Sequence, residues 1–211
     1  KDLKSLQSKG KSSGVVTAGS ASQLCEGAAA ILICNEEGLK KLGLKPRAKI
    51  IALTLAGTDP VMMLAGPIPA TEAALKRCGK TMADMDLYEV NEAFAPVPLA
   101  WAKALGADLD KLNVNGGAMA LGHPLGGTGC KIMTTLVHEL ERRGCKYGCQ
   151  AICEGGGTAN ATIITATAIT STTAAAAAAA AALAINLSTP LFIHTSFSTS
   201  FSTSFSASGV T

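Results

Sequence analysis

The sequence predicts an α/β fold in which helices cover a β-sheet, and three observations support this class. Short apolar runs that are typical of buried strands alternate with segments of helical composition over the first 165 residues. Three of the helical segments stop at a glycine, at Gly43, Gly79 and Gly144. Three consecutive glycines, residues 155–157, join the last two apolar runs, which indicates a hairpin or a sharp bend.

The individual elements follow from composition and periodicity. Apolar runs bounded by turn residues predict strands at residues 28–34, 49–55, 87–90, 147–153 and 159–165. Helical composition predicts helices at residues 36–43, 71–78 and 92–105, with a weakness in the last of these at Pro96 and Pro98. A glycine-rich loop occupies residues 115–129, and the helix after it carries Ile132, Leu136 and Leu140 on one face.

Charge is distributed unevenly along the chain. The 18 basic and 15 acidic residues give a net charge of +3, which is too mild to indicate a nucleic-acid or membrane-surface partner. No acidic residue follows Glu154 and no basic residue follows Lys146. The ordered pattern stops at Thr165, and the Ala-, Ser-, Thr- and Phe-rich residues 166–211 are predicted to be a disordered low-complexity tail.

The cysteines indicate free thiols rather than a disulfide framework. Their number, seven, is odd, and residues 1–15 contain no secretory signal, so a reducing compartment is expected. Cys145, Cys149 and Cys153 are spaced by four, but on a strand such neighbours lie about 13 Å apart, so no metal site is expected. Residues 158–193 are uncharged, yet they are rich in Thr, Ser and Ala, and no membrane span is expected.

Two segments contain polar residues that suit catalysis. Asn91 opens the sequence Asn-Glu-Ala-Phe, where it either caps the following helix or uses its amide to position a water or an oxyanion; residue type alone favours the cap. His123 lies in the glycine-rich loop, where the backbone can approach a ligand and the imidazole can act as a base near neutral pH. A phosphate-binding loop is excluded, because no Ser or Thr follows Lys131.

Two further segments have a functional and a structural interpretation. Cys153 ends a predicted strand immediately before the three glycines, where it either faces a pocket with free amides beside it or is a buried core cysteine. Residues 16–30 are small enough for their backbone to lie along a ligand, although such residues are also common in ordinary turns, and the turn is favoured when this segment is taken alone.

Taken together, these segments resemble the signatures of the thiolase family, in the family's order. The histidine loop matches the Asn-x-x-Gly-Gly to Gly-His-Pro-x-Gly-x-Thr-Gly pattern, and residues 153–161 match the ending Cys-x-Gly-x-Gly-x-Ala-x-Ala. The Asn-Glu-Ala-Phe sequence and the Gly-Pro-Ile-Pro-Ala of residues 66–70 are further markers. The resemblance covers roughly residues 15–165 and is to the C-terminal portion of a thiolase.

The resemblance implies a layered α/β/α/β/α architecture built from two similar halves, and a homodimer or homotetramer when complete. Residues 1–45 would be the end of the N-terminal half with its pantetheine loop, and residues 46–165 the C-terminal domain. The tail has no counterpart in the family. Two departures concern the site: Ser20 stands where the family usually has Asn, and Pro96 and Pro98 interrupt the helix after Asn-Glu-Ala-Phe.

The implied reaction is reversible Claisen condensation, in which an acyl group passes between coenzyme A and the α-carbon of acetyl-CoA. Its settings are fatty-acid β-oxidation or acetoacetyl-CoA formation, with CoA thioesters as substrates and no cofactor. By resemblance, His123 activates the nucleophilic cysteine and, with a water held by Asn91, stabilises the enolate. Cys153 is the acid/base at the α-carbon, a role that a thiol of lowered pKa suits.

The resemblance also assigns binding residues. The amide of Gly155 contributes to an oxyanion hole, Ser22 and Ala18 lie along the pantetheine arm, and Ala93 and Phe94 line the pocket. None of the seven cysteines has the context of the family's nucleophile, which belongs to the N-terminal half. The chain is therefore expected to be inactive alone; the alternative is a non-catalytic acyl-CoA-binding module or a truncated product. A decarboxylating ketoacyl synthase is disfavoured by the Cys153 segment.

Overall fold

The computed structural model describes residues 16–167, 180–183 and 191–197, and within them seven strands form one mixed sheet. The strands are β1 (Leu32–Cys34), β2 (Ala48–Gly57), β3 (Leu87–Val90), β4 (Tyr147–Cys153), β5 (Thr158–Ala166), β6 (Ala180–Leu183) and β7 (Leu191–Phe197). The helices are α1 (Glu36–Leu42), α2 (Pro67–Cys78), α3 (Pro96–Leu105), α4 (Ala118–Leu121) and α5 (Thr128–Arg143). The predicted α/β class is confirmed.

The strand order is β1-β7-β2-β5-β4-β3, and β6 pairs with β7. β3 and β4 run parallel, whereas the β4–β5 and β2–β5 pairs are antiparallel. The three glycines make the predicted hairpin between β4 and β5, with positive φ angles of 79° at Gly156 and 86° at Gly157. A Cβ at Gly157 would lie 2.6 Å from the Thr58 carbonyl oxygen, so only glycine fits the close approach of these two turns.

Helices pack on both faces of the sheet. On one face α2 and α3 cover β4 and β5, and Trp101 is completely buried there with its indole N–H donating to Thr71. On the other face α5 buries its apolar stripe, including Leu136 and Leu140, against β2, β3 and β5. The stripe predicted for this helix is confirmed. The described sheet therefore forms the middle of three layers.

The helix ends agree with the sequence better than the helix starts. α1, α2 and α5 end at the predicted glycines, each in the left-handed conformation. α3, however, begins at Pro96 and not at Glu92, because a proline without an N–H fits the first turn of a helix. The prediction of Asn91 as a helix cap is therefore wrong: residues 91–95 are an irregular segment that leads from β3 to α3.

Several elements are longer or shorter than predicted. β1 covers three residues of the predicted run 28–34, α2 starts four residues earlier at Pro67, and the single turn α4 lies inside the glycine-rich loop. Of the predicted tail, the structure describes residues 166–167 and the strands β6 and β7; the rest lies outside the described residues, and its disorder stays a prediction. Within the described ranges, no helix has both the length and the apolar character needed to cross a membrane.

Candidate active site

A cavity of about 490 Å³ opens where the parallel strands β3 and β4 end. Because the carboxyl ends of parallel strands meet at one edge of a sheet, the segments after β3 and β4 lie side by side. Five of the eight residues that the sequence places in the site line this cavity, namely Ala93, Phe94, His123, Cys153 and Gly155. The other lining residues are Met63, Leu64, Leu125, Gly126, Thr128, Gly129, Ile152, Glu154 and Asn160.

The histidine loop is attached to β3 by an asparagine side chain. Asn113 accepts a hydrogen bond from the Val90 amide and donates one to the Val90 carbonyl, both at 2.8 Å. The side-chain amide of Asn113 therefore pairs with the β3 backbone as a neighbouring strand would. Asn113 itself has a positive φ of 47°. This contact sets the start of the loop at the edge of the cavity.

Glu92 also holds the same loop, through two hydrogen bonds. Its carboxylate accepts hydrogen bonds from the Asn113 side chain and from the Met119 amide, each at 3.2 Å. A Cβ at Gly117 would lie only 2.0 Å from the Glu92 carboxyl carbon. The Asn-Glu-Ala-Phe segment and the double glycine of the loop therefore fit each other, a contact between distant segments that the sequence analysis missed.

His123 is held by polar contacts at both ring nitrogens. Its Nδ1 lies 2.6 Å from the Thr128 hydroxyl, and its Nε2 lies 3.4 Å from the amide nitrogen of Asn91. Burial, with a further contribution from the Lys131 ammonium, lowers the pKa of His123 below its ordinary value. At neutral pH the imidazole is therefore neutral, which is the form that can accept a proton.

Asn91 is the other buried polar group beside His123. It is only 2 % exposed, and its Oδ1 has no hydrogen-bond partner within the part of the chain that the structure describes. A buried carbonyl oxygen without a donor is costly unless a ligand or water supplies one. The arrangement therefore fits a donor at this position, such as a bound water.

Cys153 reaches the cavity from the end of β4. Burial raises the pKa of its thiol, and the neighbouring Glu154 carboxylate raises it further. This differs from the lowered pKa expected for this residue: at neutral pH Cys153 is a thiol and holds its proton. All seven cysteines lie within residues 16–167 as free thiols, and among them only Cys153 lines the cavity.

The turn after Cys153 adds polar groups that the sequence analysis did not identify. The Glu154 carboxylate accepts hydrogen bonds from the Asn160 amide at 2.7 Å and from the Thr158 hydroxyl at 2.8 Å. Gly155 has no atom within 4 Å of the position of a Cβ, so its backbone is open. The described residues contain no cluster of His, Cys, Asp or Glu that could hold a metal ion.

The predicted pantetheine loop runs beside the cavity. The Ser22 amide donates to the Ala93 carbonyl at 2.9 Å, and the His123 amide donates to the Gln23 carbonyl at 3.2 Å. Ala18 belongs to a short 3-10 turn, Ala18–Ser20. Neither Ser22 nor Ala18 is among the residues that line the cavity, so their contact with a substrate stays a prediction.

Comparison with known proteins gives concordant results over this region. Residues 44–166 match the family model described as "Thiolase, C-terminal domain". The chain is 56% identical over 151 residues to the steroid 3-ketoacyl-CoA thiolase FadA6 of Mycobacterium tuberculosis, which covers 72% of this chain and 37% of that protein. It is 52% identical over 158 residues to human mitochondrial 3-ketoacyl-CoA thiolase, which covers 75% of this chain and 40% of the relative.

A solved structure shows the same fold. The human mitochondrial 3-ketoacyl-CoA thiolase in complex with CoA superimposes with a TM-score of 0.70 and 45% sequence identity, over 78% of this chain and 42% of that one. The chain thus spans about two fifths of the length of these relatives, and the described sheet is part of a larger fold. Because the family match includes both the histidine loop and the Cys153 turn, the chain belongs to the thiolase family.

Proposed function

We propose that this chain supplies the residues of a thiolase-type acyltransferase that act at the α-carbon of acetyl-CoA. The reaction is reversible transfer of an acyl group between coenzyme A and the α-carbon of acetyl-CoA, as in β-oxidation or acetoacetyl-CoA formation. One observation carries the proposal: His123 and Cys153 line one cavity at the edge of the sheet, and the Asn91 amide nitrogen lies 3.4 Å from His123 Nε2. The relatives named 3-ketoacyl-CoA thiolase support the same reaction class.

The protonation state of Cys153 suits thiolysis. In that direction a nucleophilic thiolate adds to the β-carbonyl carbon. The bond between the α- and β-carbons then breaks, its electron pair passes to the α-carbon as an enolate, and the acyl group stays on the nucleophile. The Cys153 S–H then transfers its proton to the α-carbon, which releases acetyl-CoA and leaves a thiolate. Because burial keeps the proton on sulfur at neutral pH, the thiol is ready for this step, and condensation runs through the reverse transfer.

The enolate oxygen needs hydrogen-bond donors that are already in place. The side-chain amide of Asn91 lies beside His123, and its unpartnered Oδ1 can accept a hydrogen bond from a water. Such a water has a second proton to donate to the enolate. The Gly155 amide, on the open turn, is proposed to serve the other thioester oxygen.

The acyl-enzyme requires a nucleophilic cysteine that this chain does not offer. Among its seven cysteines only Cys153 reaches the cavity, and that residue has the proton-transfer role. We therefore propose that the nucleophile comes from the part of the thiolase fold that the chain does not span. The complete protein is proposed to act as a homodimer or homotetramer on acyl-CoA and acetyl-CoA, without a cofactor.

A chimaera tests this proposal. In the chimaera, the N-terminal segment of human mitochondrial 3-ketoacyl-CoA thiolase is joined before residue 16 and restores the missing part of the fold. The human sequence that this chain replaces is 52% identical to it, so the two parts should fit together. We expect the chimaera to thiolyse acetoacetyl-CoA and the 211-residue chain alone not to do so. His123→Ala and Cys153→Ala in the chimaera should each lower kcat by ~10²-fold or more.

Two outcomes would contradict the proposal. If either variant keeps the rate of the parent chimaera, that residue does not move the proton. If the folded chimaera has no activity while the 211-residue chain binds CoA in a calorimetric titration, the chain is a non-catalytic binding module, which is the second candidate function. An exposed side chain outside the site provides the matched control, and Glu72→Gln should leave kcat unchanged.

A further inference from the structure

The contact between His123 and Thr128 bears on which ring nitrogen carries the proton. Thr128 is 3 % exposed, and its Oγ1 has two partners: His123 Nδ1 at 2.6 Å and the Pro124 carbonyl oxygen at 3.0 Å. A carbonyl oxygen only accepts, and a hydroxyl has a single proton to donate. The Pro124 carbonyl also accepts from the Thr128 backbone amide at 3.0 Å. When the Thr128 hydroxyl donates to that carbonyl as well, its oxygen is left to accept from His123 Nδ1–H.

The contact on the other side of the ring fits the same assignment. The Asn91 group that lies 3.4 Å from His123 Nε2 is placed as the NH₂ of the amide, which only donates. In this orientation its acceptor is an unprotonated Nε2. Two contacts on opposite sides of the imidazole, made by residues 37 positions apart, thus favour a neutral ring with the proton on Nδ1.

We propose that Thr128 is a positioning residue that fixes His123 as the Nδ1–H tautomer, so that Nε2 is the basic nitrogen presented to the cavity. The tautomer is inferred from these two contacts; its catalytic consequence rests on the proposed function. There, Nε2 accepts the proton of the attacking thiol: the S–H bond breaks, an Nε2–H bond forms and a thiolate remains. The other tautomer has no lone pair at Nε2 and cannot take this proton.

The position of Thr128 at the start of a packed helix holds its hydroxyl in place beside the His123 ring. Thr128 is the first residue of α5, a helix of 16 residues that is packed on the sheet, and it lies five positions after His123. Lys131, one turn further along α5, donates from Nζ to the Gly122 carbonyl at 2.7 Å and to the Leu121 carbonyl at 3.2 Å. The helix therefore holds both the residue before the histidine and the histidine ring itself.

Nitrogen-15 NMR of the 211-residue chain, labelled at histidine, tests the tautomer without any need for activity. Protonated and unprotonated ring nitrogens have well-separated chemical shifts. We expect Nδ1 of His123 to be the protonated nitrogen, with assignment by loss of the signals in His123→Gln. A protonated Nε2 in the wild-type chain overturns the proposal, and this measurement requires no variant at Thr128 to fold.

A pair of variants isolates the hydroxyl. Thr128→Val keeps the shape of the side chain and removes the acceptor, so the Nδ1–H preference of His123 should be lost. Thr128→Ser keeps the hydroxyl and should retain it. The His138 signals, from a ring elsewhere on α5, should stay where they are in both variants. An unchanged His123 tautomer in a folded Thr128→Val chain would show that Thr128 does not set it.

Kinetics in the chimaera test the catalytic consequence separately. Thr128→Val should lower kcat for thiolysis by ~10- to 100-fold with KM nearly unchanged, and Thr128→Ser should restore most of the rate. A full rate in Thr128→Val, despite a changed tautomer, would refute the positioning role. An inactive wild-type chimaera would instead refute the proposed function, while the NMR result would still decide the tautomer.

Discussion

At the scale of single residues, the candidate site pairs a neutral imidazole with a protonated thiol. Burial lowers the pKa of His123 and raises that of Cys153, since in both cases it disfavours the charged form. The same physical effect therefore prepares a proton acceptor and a proton donor at one cavity. The Glu154 carboxylate, next to Cys153 in the chain, acts on the thiol in the same direction as burial.

Replacing Glu154 should make the Cys153 thiol more acidic. Glu154→Gln removes a negative charge beside the thiol but keeps an oxygen for the Asn160 hydrogen bond, so the pKa of Cys153 should fall while the turn keeps its shape. The check is the pH dependence of Cys153 alkylation in the 211-residue chain, resolved from the other cysteines by mass spectrometry. The midpoint should move to lower pH.

The exposed Glu72 in α2 provides the matched control for that experiment. Glu72→Gln changes the net charge by the same amount at a position outside the cavity, so the midpoint for Cys153 should not move. Equal shifts in the two variants would show a general effect of net charge and would argue against a local action of Glu154.

At the scale of elements, the site depends on two segments that fit together. The segment after β3 contributes Asn91 and Glu92, and the loop before α5 contributes Gly117 and His123. The Glu92 carboxylate occupies the space that a side chain at Gly117 would need. The loop therefore packs against a carboxylate that accepts two hydrogen bonds. A side chain at Gly117 would have to displace that carboxylate from its partners.

Gly117→Ala should displace the histidine loop and destabilise the chain. Its Cβ would lie 2.0 Å from the Glu92 carboxyl carbon, and relief of that overlap breaks the hydrogen bonds to Asn113 and Met119. We expect a loss of ~1–3 kcal/mol in the free energy of unfolding, measured by urea denaturation, as for other overpacked sites. The chimaera should also lose thiolysis activity.

Gly57→Ala is the control for this substitution. Gly57 is the last residue of β2, it lacks a positive φ, and no atom lies within 4 Å of the position of its Cβ. The same change should therefore alter stability by less than ~0.5 kcal/mol. If Gly57→Ala destabilised the chain as much as Gly117→Ala does, the fit between Glu92 and Gly117 would not be the cause.

The elements also show what the sequence could and could not predict. Strands β3 and β4 coincide with their predicted ranges, and the glycine ends of α1, α2 and α5 were predicted, because apolar runs and left-handed glycines are local signals. The start of α3 was missed because prolines break a helix interior but are accepted in the first turn, and composition alone does not say which applies to Pro96.

The family motifs predict the positions of several candidate site residues but not the contacts that support them. His123, Cys153, Gly155, Ala93 and Phe94 were expected at the cavity and lie there. The role of Glu92 could not be inferred, because its partners lie 21 and 27 positions away in the chain. The sequence identifies Thr128 only as a position of the histidine motif, and a spacing of five residues from His123 does not predict a contact with the imidazole ring.

At the scale of the whole molecule, three large apolar side chains are exposed in the histidine loop and in the segment bonded to it. Leu24, Leu121 and Leu125 are 94, 53 and 77 % exposed, and the last two flank the His123 segment on either side. Leu24 follows Gln23, whose carbonyl accepts a hydrogen bond from the His123 amide. Such exposure suits the proposal that another part of the thiolase fold covers this loop.

The free energy of unfolding of the chain should depend on pH through one buried acid, Glu89. Glu89 in β3 is 4 % exposed, and burial, with the nearby Glu92 charge, raises its pKa to about 8. In the folded chain Glu89 is thus protonated from its unfolded pKa of 4.5 up to about 8, whereas in the unfolded chain it is ionised over that range. Folding takes up a proton there, so the free energy of unfolding falls as pH rises through this window and levels off above it.

Glu89→Gln should remove this dependence, because the neutral amide takes the place of the protonated carboxyl. Between pH 4.5 and 8 the variant should lose less stability than the wild type, by up to ~1.4 kcal/mol for each pH unit, in urea denaturation at a series of pH values.

Glu139→Gln is the control, because the pKa of Glu139 is shifted in the opposite direction. The Arg142 side chain, with Asn115 and Arg143, lowers the pKa of Glu139 to about 2, so its contribution is present above pH 4.5 and is lost as pH falls towards 2. The slope between pH 4.5 and 8 should persist in Glu139→Gln, with its upper limit moved to slightly lower pH because the Glu139 charge contributes to the raised pKa of Glu89. An unchanged slope in Glu89→Gln would show that Glu89 is not the group that takes up the proton.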